Sequence, residues 1–125
     1  MSTVHGLEEL CELLSKNRQS IQYSAGDVIF EQGDVGDRMY VVREGSVELK
    51  AGDKLVDTAA APGLFGEMAL IDDEPRALTA VAGTEVQLVD IPARHFWVLV
   101  HETPYFAQLV MTVMARRLRA AGQTT

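Results

Sequence analysis

Gly63-Leu64-Phe65-Gly66-Glu67-Met68-Ala69-Leu70, followed by Pro75-Arg76-Ala77, sets tight-turn glycines before a short helical turn. That turn holds one carboxylate, and an arginine stands nine residues beyond it. Backbone N–H groups at the start of a short helix offer an anion site. Arg76 adds a planar fork of donors suited to phosphate oxygens. Glu67 can accept hydrogen bonds from a sugar hydroxyl. The anchors serve different parts of one ligand, a small anionic sugar phosphate.

Outward from this stretch, residues 21–91 are short apolar or alternating runs divided by turns such as Ala25-Gly26-Asp27, Gly33-Asp34, Gly36-Asp37, Glu44-Gly45-Ser46 and Gly52-Asp53. Regular turns between brief strands indicate an antiparallel sandwich or barrel. Strands are expected near 21–23, 27–31, 38–44, 46–51, 54–60, 77–82 and 85–91. Tyr40 with Val42, and Val47 with Leu49, sit at period two.

Both ends read as helical. Leu7, Leu10, Cys11 and Leu14 recur at helical spacing, with Glu8, Glu9 and Glu12 opposite. Cys11 is expected in the core of that helix, since no basic neighbour would lower its pKa. Pro92 suits a first helical turn, after which Phe96, Leu99 and Val100 share a face. Thr103-Pro104 then reads as an N-cap and N1 proline of a further helix. Its apolar stripe is Phe106, Leu109, Val110, Val113, Met114 and Leu118. Arg116, Arg117 and Arg119 are expected on a solvated basic face near the helix end.

At 125 residues the chain is long enough for one proper core. The net charge of −7 argues against non-specific binding to nucleic acid or anionic membrane. A single phosphodiester needs only local positive potential, because distant charges are screened beyond about 8–10 Å. The single cysteine permits no intrachain disulfide, which fits a reducing cytoplasm. The first residues lack a secretory pattern, and the best apolar run, 106–115, is broken by Gln108 and Thr112. Asp72-Asp73-Glu74 reads as a solvated acidic loop and not as a metal site. His5, His95 and His101 are scattered and do not form the His-x-His plus Glu pattern of a metal-binding cupin. No nucleophile–base constellation is evident, so no catalytic residue and no enzyme activity are expected.

The segment 65–77 resembles the phosphate-binding cassette of cyclic nucleotide-binding domains, which occur in cyclic-nucleotide-dependent kinase regulatory subunits, gated channels and the bacterial catabolite-activator/Fnr superfamily. Ala25-Gly26-Asp27-Val28-Ile29-Phe30-Glu31-Gln32-Gly33-Asp34 and Met39-Tyr40-Val41-Val42-Arg43-Glu44-Gly45-Ser46-Val47 resemble the family's barrel strands and turns. Ile91-Pro92-Ala93-Arg94-His95-Phe96 and Met114-Ala115-Arg116-Arg117-Leu118 resemble the helices of its bacterial branch. The resemblance implies a mainly β fold with flanking α: an antiparallel jelly-roll barrel with one N-terminal and two C-terminal helices. It also implies a ligand-binding set of Phe65, Gly66, Glu67, Met68, Ala69, Pro75, Arg76, Ala77, Leu78 and Thr79. In that set Glu67 meets the 2′-hydroxyl, Gly66 permits close approach, and Ala69 and Ala77 offer backbone N–H groups to the phosphate. Alanine at position 77 favours cAMP, because a threonine hydroxyl there would bond the guanine amino group of a syn base. Leu78 stands where the family usually has a small residue.

The chain is read as a single cyclic nucleotide-binding domain over 1–125, with a helix at about 6–16, a barrel at about 20–91 carrying the cassette at 63–79, and C-terminal helices at about 92–121. The expected function is that of a cytoplasmic, bacterial sensor module that binds cAMP, with cGMP as second candidate, and signals through its C-terminal helices. No cofactor and no metal are expected. A partner protein could dock on the C-terminal helices, and the chain would be a monomer or weak dimer. In the bacterial regulators the last helix leads into a helix-turn-helix, whereas this sequence ends within that helix, so no nucleic-acid contact is expected. The alternative is a nucleotide-free interaction module of the same fold.

Overall fold

A computed structural model of the chain describes residues 6–122. Helix α1 (Leu7–Ser15) leads into strands β1 (Ile21–Tyr23), β2 (Val28–Phe30), β3 (Arg38–Glu44), β4 (Ser46–Ala51), β5 (Lys54–Ala60) and β6 (Gly63–Phe65). The short helix α2 (Met68–Asp72) follows, then β7 (Thr79–Ala82), β8 (Val86–Pro92), and helices α3 (Ala93–Glu102) and α4 (Pro104–Gly122). All pairings are antiparallel, in two four-stranded sheets ordered β1-β8-β3-β6 and β2-β7-β4-β5. With helices at its flanks, this is the antiparallel sandwich that the turn spacing indicates and the jelly-roll architecture that the resemblance implies. His5 lies outside the described residues.

The first sheet is covered on both faces at β3, which explains the unbroken apolar run Met39-Tyr40-Val41-Val42. In β3, Tyr40 and Val42 point between the sheets, while Met39 and Val41 point toward the helices. Strand β8 divides in the same way, with Leu88 inward and Val89 and Ile91 toward the helices. The second sheet has one buried face, so β4 alternates Val47 and Leu49 inside with Glu48 half-buried outside. Fully burying one such aliphatic side chain is worth about 1.5–3 kcal/mol.

Three features differ from the sequence reading. Gly63-Leu64-Phe65 is not a turn but the edge strand of the first sheet, beside β3, paired Tyr40↔Phe65 and Val42↔Gly63. Three residues opening on glycine carry no legible alternation. Leu118, expected in the buried stripe of α4, is 55% exposed. Arg117, expected on the solvated face, is buried at 7%. Regular helix phase puts Arg117 on the Phe106 face and Leu118 near the edge of the stripe, so the expectation set by charge, and not the helix geometry, is what fails.

Cys11 does lie in the core, with its thiol 3.8 Å from the Gly63 carbonyl oxygen, and burial pushes its pKa up to about 12. His95 and His101 are exposed on α3. Among the described residues, no group of three or more His, Cys, Asp or Glu side chains could hold a metal. Nor is any described helix long and apolar enough to cross a membrane.

Candidate functional site

Strand β6 ends at Phe65, and the chain then turns sharply through Gly66 into α2. Gly66 has φ +86°, a left-handed conformation that side chains disfavour. A Cβ there would also lie 3.1 Å from Nη1 of Arg76. The freed carbonyl of Gly66 accepts a hydrogen bond from that same Nη1 at 2.7 Å. Nη2 of Arg76 donates to the carbonyl of Arg38 at 2.6 Å. The loop between β2 and β3 holds the arginine's backbone as well: Arg76 N donates to Asp34 O, and Gly33 N donates to Arg76 O, both at 2.8 Å. Gly36 is required in this loop, because a Cβ there would stand 2.5 Å from Ala69 Cβ and 2.9 Å from Arg76 Nε.

Arg76 is buried at 5%, and burial pulls its pKa below the usual range. Its guanidinium lies 4.0 Å over the centroid of Phe30. Nε has no hydrogen-bond partner, and among the described residues no carboxylate is within ion-pair distance of this cation. A buried, unneutralised guanidinium is costly and creates a strong local attraction for an anion.

Glu67 stands at the N-cap of α2 and is buried at 1%. Burial pushes its carboxyl above the usual range, and the Arg117 guanidinium pulls against that. Arg117 reaches it from α4, with Nη1 at 3.2 Å from Oε2 and 3.4 Å from Oε1. Nε of Arg117 bonds Asp57 Oδ2 at 2.9 Å, and Nη2 donates to Leu64 O at 3.1 Å. Nε, Nη1 and Nη2 of this guanidinium each have a partner, which offsets the cost of burying it.

Gly66, Glu67, Met68, Ala69, Arg76, Ala77 and Leu78 surround one cavity of about 30 Å³, closed by Phe30, Leu49 and Arg117. The other three residues of the sequence-derived set lie elsewhere. Phe65 is fully buried, stacked on Tyr40 with ring centroids 5.1 Å apart. Pro75 is exposed in the loop. The Thr79 hydroxyl accepts a hydrogen bond from Gln32 N at 2.9 Å, so it faces the turn after β2 and does not line the cavity. Sequence reasoning missed Phe30, Leu49 and Arg117. Arg117 had a signal: it follows Val110 by seven residues and Val113 by four, the spacing of one helix face. On the far side of Arg117 lies a cleft of about 450 Å³ between β5, Leu7 and Val113.

The family profile described as the cyclic nucleotide-binding domain matches residues 20–103. A cyclic nucleotide-gated potassium channel of Rhizobium etli is 38% identical over 113 residues, covering 90% of this chain and 31% of the channel. A cyclic AMP receptor protein of Thermus thermophilus is 36% identical over 124 residues, covering 94% of this chain and 57% of the receptor. The crystal structure of the Thermus thermophilus catabolite activator protein superposes with a TM-score of 0.73 at 29% identity, over 96% of this chain and 57% of that one. The chain thus spans between about a third and somewhat over half the length of these relatives. On the profile match across the sheets and the cassette, this chain belongs to the cyclic nucleotide-binding domain family.

Proposed function

We propose that this domain binds cAMP at the cavity between α2, Arg76 and Arg117, and that it passes the binding event on through α4 without catalysing a reaction. The observation that carries the reading is the contact between Arg117 and Glu67. It joins the last turns of the C-terminal helix directly to the carboxylate that would hold the ribose. Arg76, buried without a counter-ion, is suited to the cyclic phosphate. Ala77 brings no hydroxyl to the base, which favours adenine over guanine. Phe65, Pro75 and Thr79 would act behind this set, through packing and loop shape.

A cavity of about 30 Å³ has room for one or two waters, whereas small-molecule pockets run to about 300–1,000 Å³. Opening is therefore part of binding. Arg117 lines both the cavity and the neighbouring 450 Å³ cleft, so its displacement would join the two. A ligand that binds the opened arrangement better shifts the population toward it, and α4 moves as the output. A cytoplasmic setting suits this role, and a partner could read α4 through its exposed Met111 and Leu118.

The second reading, a nucleotide-free interaction module, is favoured by the fact that Glu67 already has a partner inside the fold. Calorimetry with cAMP and cGMP, on protein refolded to strip carried-over nucleotide, separates the two. Saturable heat with cAMP, together with altered amide hydrogen exchange across 104–121 as well as 63–77, supports the sensor. No heat with either nucleotide supports the interaction module. Exchange changes confined to 63–77 would leave a binder without output through α4.

A further inference from the structure

We infer that Phe30 is a positioning residue for the anion site: its ring seats the guanidinium of Arg76 by the face and leaves the N–H edges for the ligand. The inference rests on the reading that Arg76 meets a cyclic phosphate.

The physical problem is how to hold a charged guanidinium inside a protein without neutralising it. Arg76 is buried at 5%, and its five N–H groups all lie in one plane. One N–H of Nη1 goes to Gly66 O and one of Nη2 to Arg38 O. This leaves Nε and one N–H on each terminal nitrogen uncommitted, with Nε buried and unpaired. A carboxylate would stabilise the cation, but it would take the same edge donors a phosphate needs and cancel the charge that attracts it. Asp37, a nearby acidic group, is instead committed to Arg38 at 2.9 Å.

An aromatic face avoids both difficulties. Its negative quadrupole attracts the cation from above the plane and consumes no N–H. The Phe30 centroid is 4.0 Å from Cζ of Arg76, well within the range of such contacts. The ring itself is braced, with Tyr40 at 6.1 Å and Phe65 at 5.9 Å between centroids. Phe30 comes from β2, Gly66 from the turn after β6, and Arg38 from the start of β3. Two carbonyls fix the guanidinium within its plane, and the ring fixes the plane.

The test compares Phe30→Leu, which keeps apolar bulk and removes the π face, with Phe30→Tyr, which keeps the face. Each is titrated calorimetrically with cAMP and with adenosine, which shares base and ribose but carries no phosphate. Phe30→Leu is expected to weaken cAMP binding by roughly 2- to 30-fold, the range of a cation–π contact, and to leave adenosine within about twofold of wild type. Phe30→Tyr should restore cAMP binding. A second readout needs no ligand: the Nε–H resonance of Arg76 should carry an upfield ring-current shift that is lost in Phe30→Leu and kept in Phe30→Tyr. Wild-type cAMP affinity in Phe30→Leu, or an equal loss for cAMP and adenosine, overturns the positioning role. Absence of cAMP binding by the wild-type protein overturns the ligand reading itself, a result distinct from a failure of the variant.

Discussion

Nε of Arg117 lies 2.9 Å from Oδ2 of Asp57, and this contact pins the end of α4 to the edge strand β5. The same guanidinium holds Glu67 at 3.2 Å. The two carboxylates differ in their alternatives. The Asp57 side chain is 30% exposed and can turn to water, while Glu67 at 1% cannot. Arg117→Met should therefore cost about 3–5 kcal/mol of stability, because it strands a buried charge. Asp57→Asn should cost at most about 1 kcal/mol. Glu67→Gln added to Arg117→Met should recover a good part of the loss. Urea unfolding of the three proteins checks this, and a double variant no better than Arg117→Met would show that Glu67 is not the stranded group.

Arg76→Ala should weaken cAMP binding by about 2–5 kcal/mol, since it removes a buried cation that has no counter-ion among the described residues. At roughly 1.4 kcal/mol per decade, that is at least tens-fold in affinity. Arg76→Lys should not restore it. A lysine ammonium cannot bond Gly66 O and Arg38 O in one plane while meeting a phosphate at the edge. Calorimetry at fixed salt is the measurement, and a fully competent lysine variant would remove the fork geometry from the explanation.

Ala77→Thr should raise cGMP affinity relative to cAMP. Ala77 is exposed at the rim of the cavity, so a hydroxyl there is not consumed by the fold. One neutral hydrogen bond nets about 0.5–1.5 kcal/mol, so the change in the ratio is expected to be modest. Competition titrations with both nucleotides read it. An unchanged ratio would place the guanine amino group away from this wall.

Glu67 gives an unusual pH signature. Burial raises its carboxyl above the usual 4.5, so the folded state binds its proton more tightly than the unfolded chain. Stability then falls as pH rises from the unfolded value through the raised folded one, opposite to a surface-paired carboxylate. Relative to Glu67→Gln, the wild-type protein should gain stability as pH is lowered from neutral toward the unfolded-state carboxyl value of 4.5. Parallel thermal or urea unfolding across that range is the check. A wild-type protein that instead loses ground on acidification would show that Arg117 outweighs burial.

Much of this protein is written locally. Glycine-aspartate turns at short intervals, period two in β4 and helical spacing in α1 each follow from the backbone geometry of one element. Gly66, Glu67 and Arg76 could be singled out because their chemistry is carried by residue type and short spacing. What the sequence by itself did not determine was partnership. Strand β6 exists because β3 offers it an edge, and a three-residue strand has no period of its own. Phe30 reads as one more strand aromatic until the fold brings Arg76 over its ring from 46 residues away. The role of Arg117 was half legible. Counting about 100° per residue sets it within about 20° of Phe106, at the middle of the apolar stripe, with Leu118 near the stripe's edge. Charge argued the other way, since an arginine is normally sent to water. Only the tertiary structure, by placing Glu67, Asp57 and the Leu64 carbonyl where that face of α4 lands, supplied enough partners to bring the guanidinium inside.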